Sequence, residues 1–258
     1  MDDKQKQMIA IIIMIMVIVI SPFACAATYR VGYYDGIKSA KTGSIEESTR
    51  HGHNETKLHG VDISAWQAEN YKGIIERPDC DFVICRATES TYVDPVCDLA
   101  YQYAKSKGKL LGVYFFADPK IHDAADYAKF CADTVEGYVG ETVFILDCEV
   151  DPSTDWILEW LQEFERITGT KPLVYTNLNT AETLNWEGVI NNGNKLWLAY
   201  YGYDDGSCYE IPDQVGAWPK EQIAMHQYTT SGLGERETLD LDIFFGNEED
   251  WEALTRIS

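Results

Sequence analysis

The chain is 258 residues long, and its 42 aspartate and glutamate residues outnumber its 21 lysine and arginine residues, which gives a net charge of −21 at pH 7. This charge argues against nucleic acids and anionic membrane surfaces as partners, because both bind basic proteins. The length is sufficient for one large domain with a substantial hydrophobic core.

The N-terminus carries a predicted export segment. Residues 8–20 form an uninterrupted apolar run of 13 residues, which is shorter than the roughly 20 residues that span a bilayer. Ala24-Cys25-Ala26 follows this run and has the small-x-small pattern of a signal-peptide cleavage site. An uncleaved anchor and a lipid-modified Cys25 are the alternatives. All three place the mature chain outside the cytoplasm, either secreted or tethered to the membrane.

The chain divides into three predicted regions. Residues 1–26 are a signal peptide or membrane anchor, and residues 27–57 are a polar linker without a sustained apolar period. Residues 58–258 form one folded domain, which we expect to be a monomer.

The cysteines and histidines do not predict a metal site. Six cysteines follow Cys25, and an even number in an exported protein permits disulfides, but no C-x-x-C pair is present to suggest zinc. His51, His53 and His59 are more typical of a flexible polar tract with stray histidines than of a metal site. We therefore predict no metal and no cofactor.

Strand-like and helix-like segments alternate from residue 58 onwards. The predicted strands are Leu58–Ser64, Asp81–Ala87, Lys109–Ala117, Glu141–Glu149, Lys171–Thr176, Lys195–Tyr201, Gln222–Tyr228 and Leu239–Phe245. The predicted helices are Ala68–Glu76, Pro95–Lys107, His122–Tyr138 and Ser153–Thr168. Eight strands that first alternate with helices and then follow one another without them predict an α/β fold, a single barrel related to the (β/α)8 class.

The fourth predicted strand ends in two carboxylates. Residues 142–146 are an apolar run bounded by turn-forming residues, which is typical of a buried strand, and Asp147-Cys148-Glu149 follows. Side chains two apart on a strand share a face, roughly 6.5–7 Å apart, so Asp147 and Glu149 are expected to point the same way. Such a pair suits glycoside hydrolysis; a solvated strand end or a pair of calcium ligands are the alternatives.

Acidic and aromatic residues are predicted to gather at one end of the barrel, because closure places the carboxyl ends of the strands on one rim. Asp62, Asp147 with Glu149, and Asp240 lie at ends of the first, fourth and eighth predicted strands, and the eighth strand neighbours the first. The aromatic residues at or near strand ends are Tyr114, Tyr175, Trp197, Tyr201 and Tyr228. Each ring has core packing as its alternative, but together with the acids they favour a carbohydrate groove.

Short motifs in chain order resemble those of the glycoside hydrolase family 25 lysozymes. Residues 59–67 (HGVDISAWQ) are similar to the family's opening G-x-D-x-S-x-x-Q, and residues 81–89 (DFVICRATE) are similar to F-x-x-x-K-x-T-E, with Arg86 at the lysine. The remaining matches are G-x-Y-H-F-A at 112–117 with Phe115 at the histidine, D-x-E at 147–149, L-W-x-A-x-Y at 196–201, Q-Y at 227–228, and V-D-x-N-x-F at 239–244 with Asp242 at the asparagine.

This resemblance runs from about residue 59 to 245 and implies a fold, an activity and a set of site residues. The fold is a (β/α)5β3 barrel, a modified TIM-type barrel. The activity is that of a lysozyme, an N-acetylmuramidase that cleaves the β-1,4 bond between N-acetylmuramic acid and N-acetylglucosamine in peptidoglycan. Glu149 matches the general acid/base, Asp147 its partner carboxylate, and Asp62 and Asp240 the acids of the first and last strands. Substrate binding is expected from Tyr114, Tyr175, Trp197, Tyr201 and Gln227.

Two other functions remain open from the sequence. A chitinase-like hydrolase of N-acetylglucosamine polymers also carries a D-x-E at a strand end, but within a longer acidic run whose upstream acids are missing here. A non-catalytic wall-binding protein on a degenerate barrel is disfavoured by the four acids, because a crowded carboxylate cluster costs stability. The departures at Phe115 and Arg86 are expected to affect the groove rather than the acids.

Overall fold

The computed structural model describes residues 57–150, 153–232 and 238–257. The predicted signal segment, and all of the predicted linker except Lys57, lie outside the described residues. Within the described ranges, no helix is both long and apolar enough to cross a membrane.

Eight strands close into a barrel. They are β1 Leu58–Ile63, β2 Phe82–Glu89, β4 Leu110–Phe116, β5 Val143–Asp147, β6 Leu173–Asn177, β7 Leu196–Ala199, β8 Ile223–Thr229 and β9 Asp240–Phe244. The sheet closes because β1 pairs with both β2 and β9. A two-residue strand, β3 Tyr92–Val93, folds back on the end of β2. The predicted fold class is confirmed: the described residues from Leu58 onwards form one closed α/β barrel.

The last strand runs against the others. The seven strands from β1 to β8 that form the barrel wall are parallel to one another, whereas β9 is antiparallel to both of its neighbours. The prediction that all strand carboxyl ends share one rim is therefore wrong for β9. Asp240 nevertheless reaches that rim, because it is the first residue of β9 and lies opposite Asp62.

Seven helices accompany the strands in the described residues, six of them before β7 and the last one after β9. They are α1 Tyr71–Ile75, α2 Cys97–Ser106, α3 Ala124–Thr134, α4 Thr154–Thr168, α5 Leu178–Thr183, α6 Glu187–Asn191 and α7 Glu248–Thr255, with single 3-10 turns at Ala65–Gln67, Glu136–Tyr138 and Lys220–Gln222. Each of the four predicted helices is present, and each is shorter than predicted, the last of them by a single residue. The Asp123 side chain caps α3 by accepting from two backbone N–H groups, so that helix begins at Ala124 rather than at His122. The helices α5, α6 and α7 were not predicted.

The core has two layers, one inside the barrel and one between the barrel and its helices. Phe115 belongs to the outer layer, where it is fully buried against Phe144 of β5 and against Trp160 and Phe164 of α4. The expectation that Phe115 affects the groove is therefore wrong, because alternation along β4 turns its side chain away from the barrel interior.

The helix α7 closes the bottom of the barrel. Its Trp251 is buried against Phe82 at the start of β2 and Phe244 at the end of β9, with ring centroids 4.7 and 5.2 Å away. These positions lie at the end of the barrel opposite Asp62 and Asp240. The other rim is left open for a site.

Candidate active site

Acidic residues from three strands meet at the open rim. Asp62 lies near the end of β1, Asp147 is the last residue of β5, and Asp240 is the first residue of β9. Burial raises the pKa of Asp147, and the nearby negative charges of Glu149 and Asp62 raise it further. Asp240 joins this group because it lies directly opposite Asp62 in the pairing of β1 with β9. The four predicted acids therefore form one electrostatic cluster.

The two acids of the D-x-E motif differ sharply in exposure. The strand β5 ends at Asp147 rather than at the predicted Glu149, so Glu149 lies on the loop that follows. Its side chain is exposed, whereas Asp147 is only 6% exposed. Glu149 nonetheless stays close to the cluster, because its charge also raises the pKa values of Tyr175 and Tyr201.

One carboxylate oxygen of Asp147, Oδ1, is buried and has no hydrogen-bond partner. Burial holds the pKa of Asp147 well above its ordinary value, and the positive charge of Arg86 opposes this rise. A buried acceptor without a donor is costly unless a ligand supplies the donor.

Asp62 is held by a chain of neutral hydrogen bonds. Gln227 Nε2 donates to Asp62 Oδ2 at 2.6 Å. The other end of that amide, Oε1, accepts from the hydroxyl of Tyr175 at 2.7 Å and from the hydroxyl of Tyr201. Burial raises the pKa of Asp62 to about 6, and the bond from Gln227 works against this rise.

The predicted substrate-binding residues occupy two depths. Tyr175, Trp197 and Gln227 are at most 6% exposed and lie beneath the acids, whereas Tyr114 and Tyr201 are half-buried. Trp197 packs edge-on against Tyr114 and Tyr175, with ring centroids 6.5 and 4.6 Å away.

Tyr228, the fifth aromatic residue predicted near the rim, lies apart from this group. It packs against His226, with ring centroids 6.2 Å apart, on the face of β8 opposite Gln227.

Three residues at this rim were not among the predicted site residues, although Arg86 and Asp242 had been noted as departures from the family motifs and Arg86 was expected to affect the groove. Asp242 lies on β9 two residues after Asp240 and is completely buried, and Trp197 Nε1 donates to its Oδ1 at 3.0 Å. Arg86 of β2 is held by Asp94 and Glu89, at 3.0 and 2.7 Å. Trp66, in the turn after β1, is 74% exposed. The strand period of two could have found Asp242 and Arg86, because each lies two residues along its strand from another inward-facing residue.

The described residues contain neither a metal-ligand cluster nor a disulfide. Within them, no group of three or more histidine, cysteine, aspartate or glutamate side chains is arranged to hold a metal ion. The six cysteines of the described ranges are all free thiols, five of them buried.

Bacterial proteins are among the known sequences that are similar to this chain. It is 27% identical over 210 residues to the uncharacterized protein YegX of Escherichia coli O157:H7, covering 76% of this chain and 73% of that protein. It is 23% identical over 193 residues to Lysozyme M1 of Streptomyces globisporus, covering 68% of this chain and 63% of that protein.

Solved structures show the same fold. The family GH25 lysozyme from Aspergillus fumigatus superposes with a TM-score of 0.62 at 25% identity, covering 78% of this chain and 99% of that chain. A muramidase from Trichobolus zukalii gives a TM-score of 0.57 at 25% identity, covering 77% and 98%. The family profile of glycosyl hydrolases family 25 matches residues 61–235, more than half of the sequence, and the chain therefore belongs to that family.

Proposed function

We propose that the protein is a lysozyme that hydrolyses the β-1,4 bond between N-acetylmuramic acid and N-acetylglucosamine in peptidoglycan. The observation that carries this proposal is the pairing of an exposed Glu149 with a buried Asp147 on the rim of a family 25 barrel. Lysozyme and muramidase are also the names of relatives that share its sequence and fold.

Glu149 is the proposed general acid. Its exposed position allows it to reach the oxygen of the scissile bond and to exchange protons with water. The negative charge of Glu149 raises the pKa of Asp147, so a proton on Glu149 favours an ionised Asp147, and the pair shares one proton between them. One carboxyl group can then donate while the other remains charged, as glycoside hydrolysis requires.

Asp147 is the proposed partner carboxylate. When it is ionised, it stabilises the positive charge that develops at the anomeric carbon as the bond breaks. The alternative role for Asp147 is to orient the sugar's 2-acetamido group, which would then act as an internal nucleophile. Asp62 and Asp240 then hold the sugar on the side of β1 and β9.

The aromatic residues divide between contact and support. Trp66, Tyr114 and Tyr201 have exposed or half-buried rings, and we assign them to contact with the sugars, for which aromatic faces are suited. Tyr175, Trp197 and Gln227 are buried. Tyr175 donates a hydrogen bond to Gln227, while Gln227 and Trp197 donate to the carboxyl groups of Asp62 and Asp242. Their proposed contribution is to fix the carboxyl groups rather than to cover the substrate.

A peptidoglycan substrate lies outside the cytoplasmic membrane, which agrees with the export segment predicted at residues 1–26. Cleavage of that segment with secretion, or its retention as a tether, remains a prediction. If the segment is retained, the polar residues 27–57 would connect the tether to the domain.

The test is release of reducing sugar from purified peptidoglycan by residues 58–258, with mass analysis of the fragments. Muramic acid at the new reducing ends is expected, together with loss of turnover and an unchanged fold in Glu149→Gln. Glu159→Gln, an exposed glutamate on α4, is the matched control and should keep full activity.

Three outcomes would contradict the proposal. Near-wild-type rates for Glu149→Gln would remove the general acid. Preferential cleavage of chitin oligomers would indicate a chitinase-like enzyme. Tight binding to walls of several chemotypes without hydrolysis would indicate a wall-binding protein.

A further inference from the structure

Asp242 occupies a central position that the lysozyme mechanism does not use. On β9 it lies between Gly60 of β1 and Gln227 of β8, and it is completely buried. It is two residues from Asp240, on the same face of the strand and diagonal to Asp62.

The two oxygens of Asp242 have different surroundings. Oδ1 accepts a hydrogen bond from Trp197 Nε1 at 3.0 Å, whereas Oδ2 receives no hydrogen bond from a donor. An ionised carboxylate would leave one buried oxygen bare, which costs far more than burying a neutral acid. The side-chain geometry therefore favours a proton on Oδ2.

The groups that face Asp242 offer no compensating positive charge. From β1 it faces Asp62, from its own strand Asp240, from β8 Gln227 and from β7 Trp197. Tyr228 lies on the opposite face of β8, where the charge of Asp242 still contributes to its raised pKa. Within the described residues, Asp242 takes part in no ion pair. A second carboxylate beside Asp62 is therefore disfavoured.

A protonated aspartate has the hydrogen-bonding pattern of asparagine. Both offer one carbonyl oxygen as an acceptor and one donor on the other branch, in nearly the same shape. Residues 239–244 are similar to V-D-x-N-x-F, in which the fourth position is asparagine, and this chain has Asp242 there. The proton on Oδ2 would restore the donor that the amide supplies.

We propose that Asp242 is a positioning residue that carries a proton on Oδ2 and donates it in a hydrogen bond to Asp62, as an asparagine side chain would. Burial, followed by the charges of Asp62 and Asp240, raises the pKa of Asp242 well above its ordinary value, and the bond lowers the pKa of Asp62. Asp62 is thus held as a carboxylate between two neutral donors, Gln227 and Asp242.

This arrangement makes the site sensitive to alkaline pH in a way that an asparagine would not. When Asp242 loses its proton, the donor to Asp62 is replaced by a second negative charge at the same place. Asp62 then loses its fixed position, and turnover falls. The catalytic part of this inference rests on the proposed lysozyme activity.

The first arm of the test compares the pH dependence of kcat/KM for peptidoglycan among the wild type, Asp242→Asn and Asp242→Leu. The asparagine should keep the donor at every pH. The alkaline limb of the kcat/KM profile of Asp242→Asn is therefore expected to lie about one pH unit or more above that of the wild type. Leucine has similar bulk but no polar atom, and its kcat should be low throughout. An alkaline limb for Asp242→Asn that coincides with that of the wild type, or activity as low as that of Asp242→Leu, would overturn the proposal.

The second arm does not depend on activity. A group with a raised pKa in the folded state loses its stabilising contribution as pH rises above its unfolded-state pKa of about 4. The Tm of Asp242→Asn should therefore exceed that of the wild type by a margin that grows as pH rises from about 4 toward the raised pKa of Asp242. A Tm difference that is constant with pH would refute a proton on Asp242. A growing difference in an enzyme that hydrolyses no wall would instead leave the proton in place and refute the lysozyme assignment.

Discussion

Neutral donors, rather than cations, surround the carboxylate of Asp62. Two tyrosine hydroxyls donate to Gln227 Oε1, which leaves the Nε2 group of that amide to face Asp62. The orientation of the amide is thereby fixed by its partners. Neutral donors stabilise a carboxylate less than a paired cation does, and the pKa of Asp62 accordingly stays at about 6.

Gln227→Leu should shift the acidic limb of the enzyme's pH profile to higher pH. The bond from Gln227 lowers the pKa of Asp62, so its loss raises that pKa above about 6, and more alkaline conditions are needed to ionise Asp62. The hydroxyls of Tyr175 and Tyr201 also lose an acceptor, at a cost of about 1–3 kcal/mol in the free energy of unfolding. The measurement is kcat/KM for peptidoglycan against pH, with urea unfolding in parallel.

Gln162→Leu is the matched control for this substitution. Gln162 is exposed on α4, where its side-chain amide donates a hydrogen bond to Asn192, away from the rim. Gln162→Leu should leave the acidic limb of the pH profile in place and change the free energy of unfolding by no more than about 0.5 kcal/mol. An acidic limb that stays in place in Gln227→Leu would mean that ionisation of Asp62 does not control turnover.

The sequence was enough to predict which residues form the site, but not how deeply each of them is buried. Ordered motifs and strand ends are enough to predict that Asp62, Asp147, Glu149 and Asp240 belong together. Sequence spacing treats Asp147 and Glu149 as equivalent, whereas the structure buries one and exposes the other because β5 ends between them. Burial depends on which distant segments cover a side chain, and a local pattern does not contain that information.

At the scale of elements, apolar runs located the strands well but did not give their direction. An alternating strand pattern is the same read from either end. The ten residues 230–239 between β8 and β9 do carry a signal, because a parallel crossover needs a dozen or more residues. The connection is too short for one, and β9 pairs antiparallel with β8. The unpredicted helix α7 is stabilised by the burial of Trp251 rather than by a long amphipathic pattern.

Asp94 joins three elements near the rim, and its removal should loosen all of them. Its Oδ2 accepts from Ala65 N after β1 at 2.9 Å and from Arg86 Nε of β2 at 3.0 Å, while Oδ1 accepts from Val96 N at the start of α2 at 2.9 Å. Asp94→Ala removes one of the two ion-pair partners of the largely buried Arg86 guanidinium and leaves Glu89. It also removes the acceptor of the backbone N–H groups of Ala65 and Val96. We expect the free energy of unfolding to fall by about 3 kcal/mol, measured by urea denaturation.

Two variants separate charge from geometry at this junction. Asp94→Asn keeps an oxygen acceptor but loses the charge, so its stability should lie between those of the wild type and Asp94→Ala. Asp98→Ala removes an exposed acid from the first turn of the same helix, and should cost about 1 kcal/mol or less. Equal losses for Asp94→Ala and Asp98→Ala would show that Asp94 acts only as a helix-terminal charge.

At the scale of the whole molecule, the buried carboxyl groups should make the protein more stable in mild acid than at neutral pH. Asp62, Asp147 and Asp242 have raised pKa values in the folded state. The folded chain therefore keeps protons that the unfolded chain releases, and stability falls as pH rises from about 4 through these folded-state values. For Asp62 alone, the rise from 3.8 to about 6 corresponds to about 3 kcal/mol. A net charge of −21 adds self-repulsion as the acids ionise.

Surface ion pairs set the lower edge of this stability window. Glu141 has a pKa lowered chiefly by its hydrogen bond from Lys105, as Glu76 does with Lys107, and such pairs stabilise the fold only above the unfolded-state pKa of about 4. The urea midpoint should therefore be highest near about pH 5 and decline toward about pH 8. Salt should recover only the part of the decline that arises from surface repulsion, because it screens exposed charges far more than buried ones. A midpoint that rises from pH 5 to pH 8 would mean that the buried carboxyl groups are ionised without cost, and the proton-sharing between Asp147 and Glu149 would lose its physical basis.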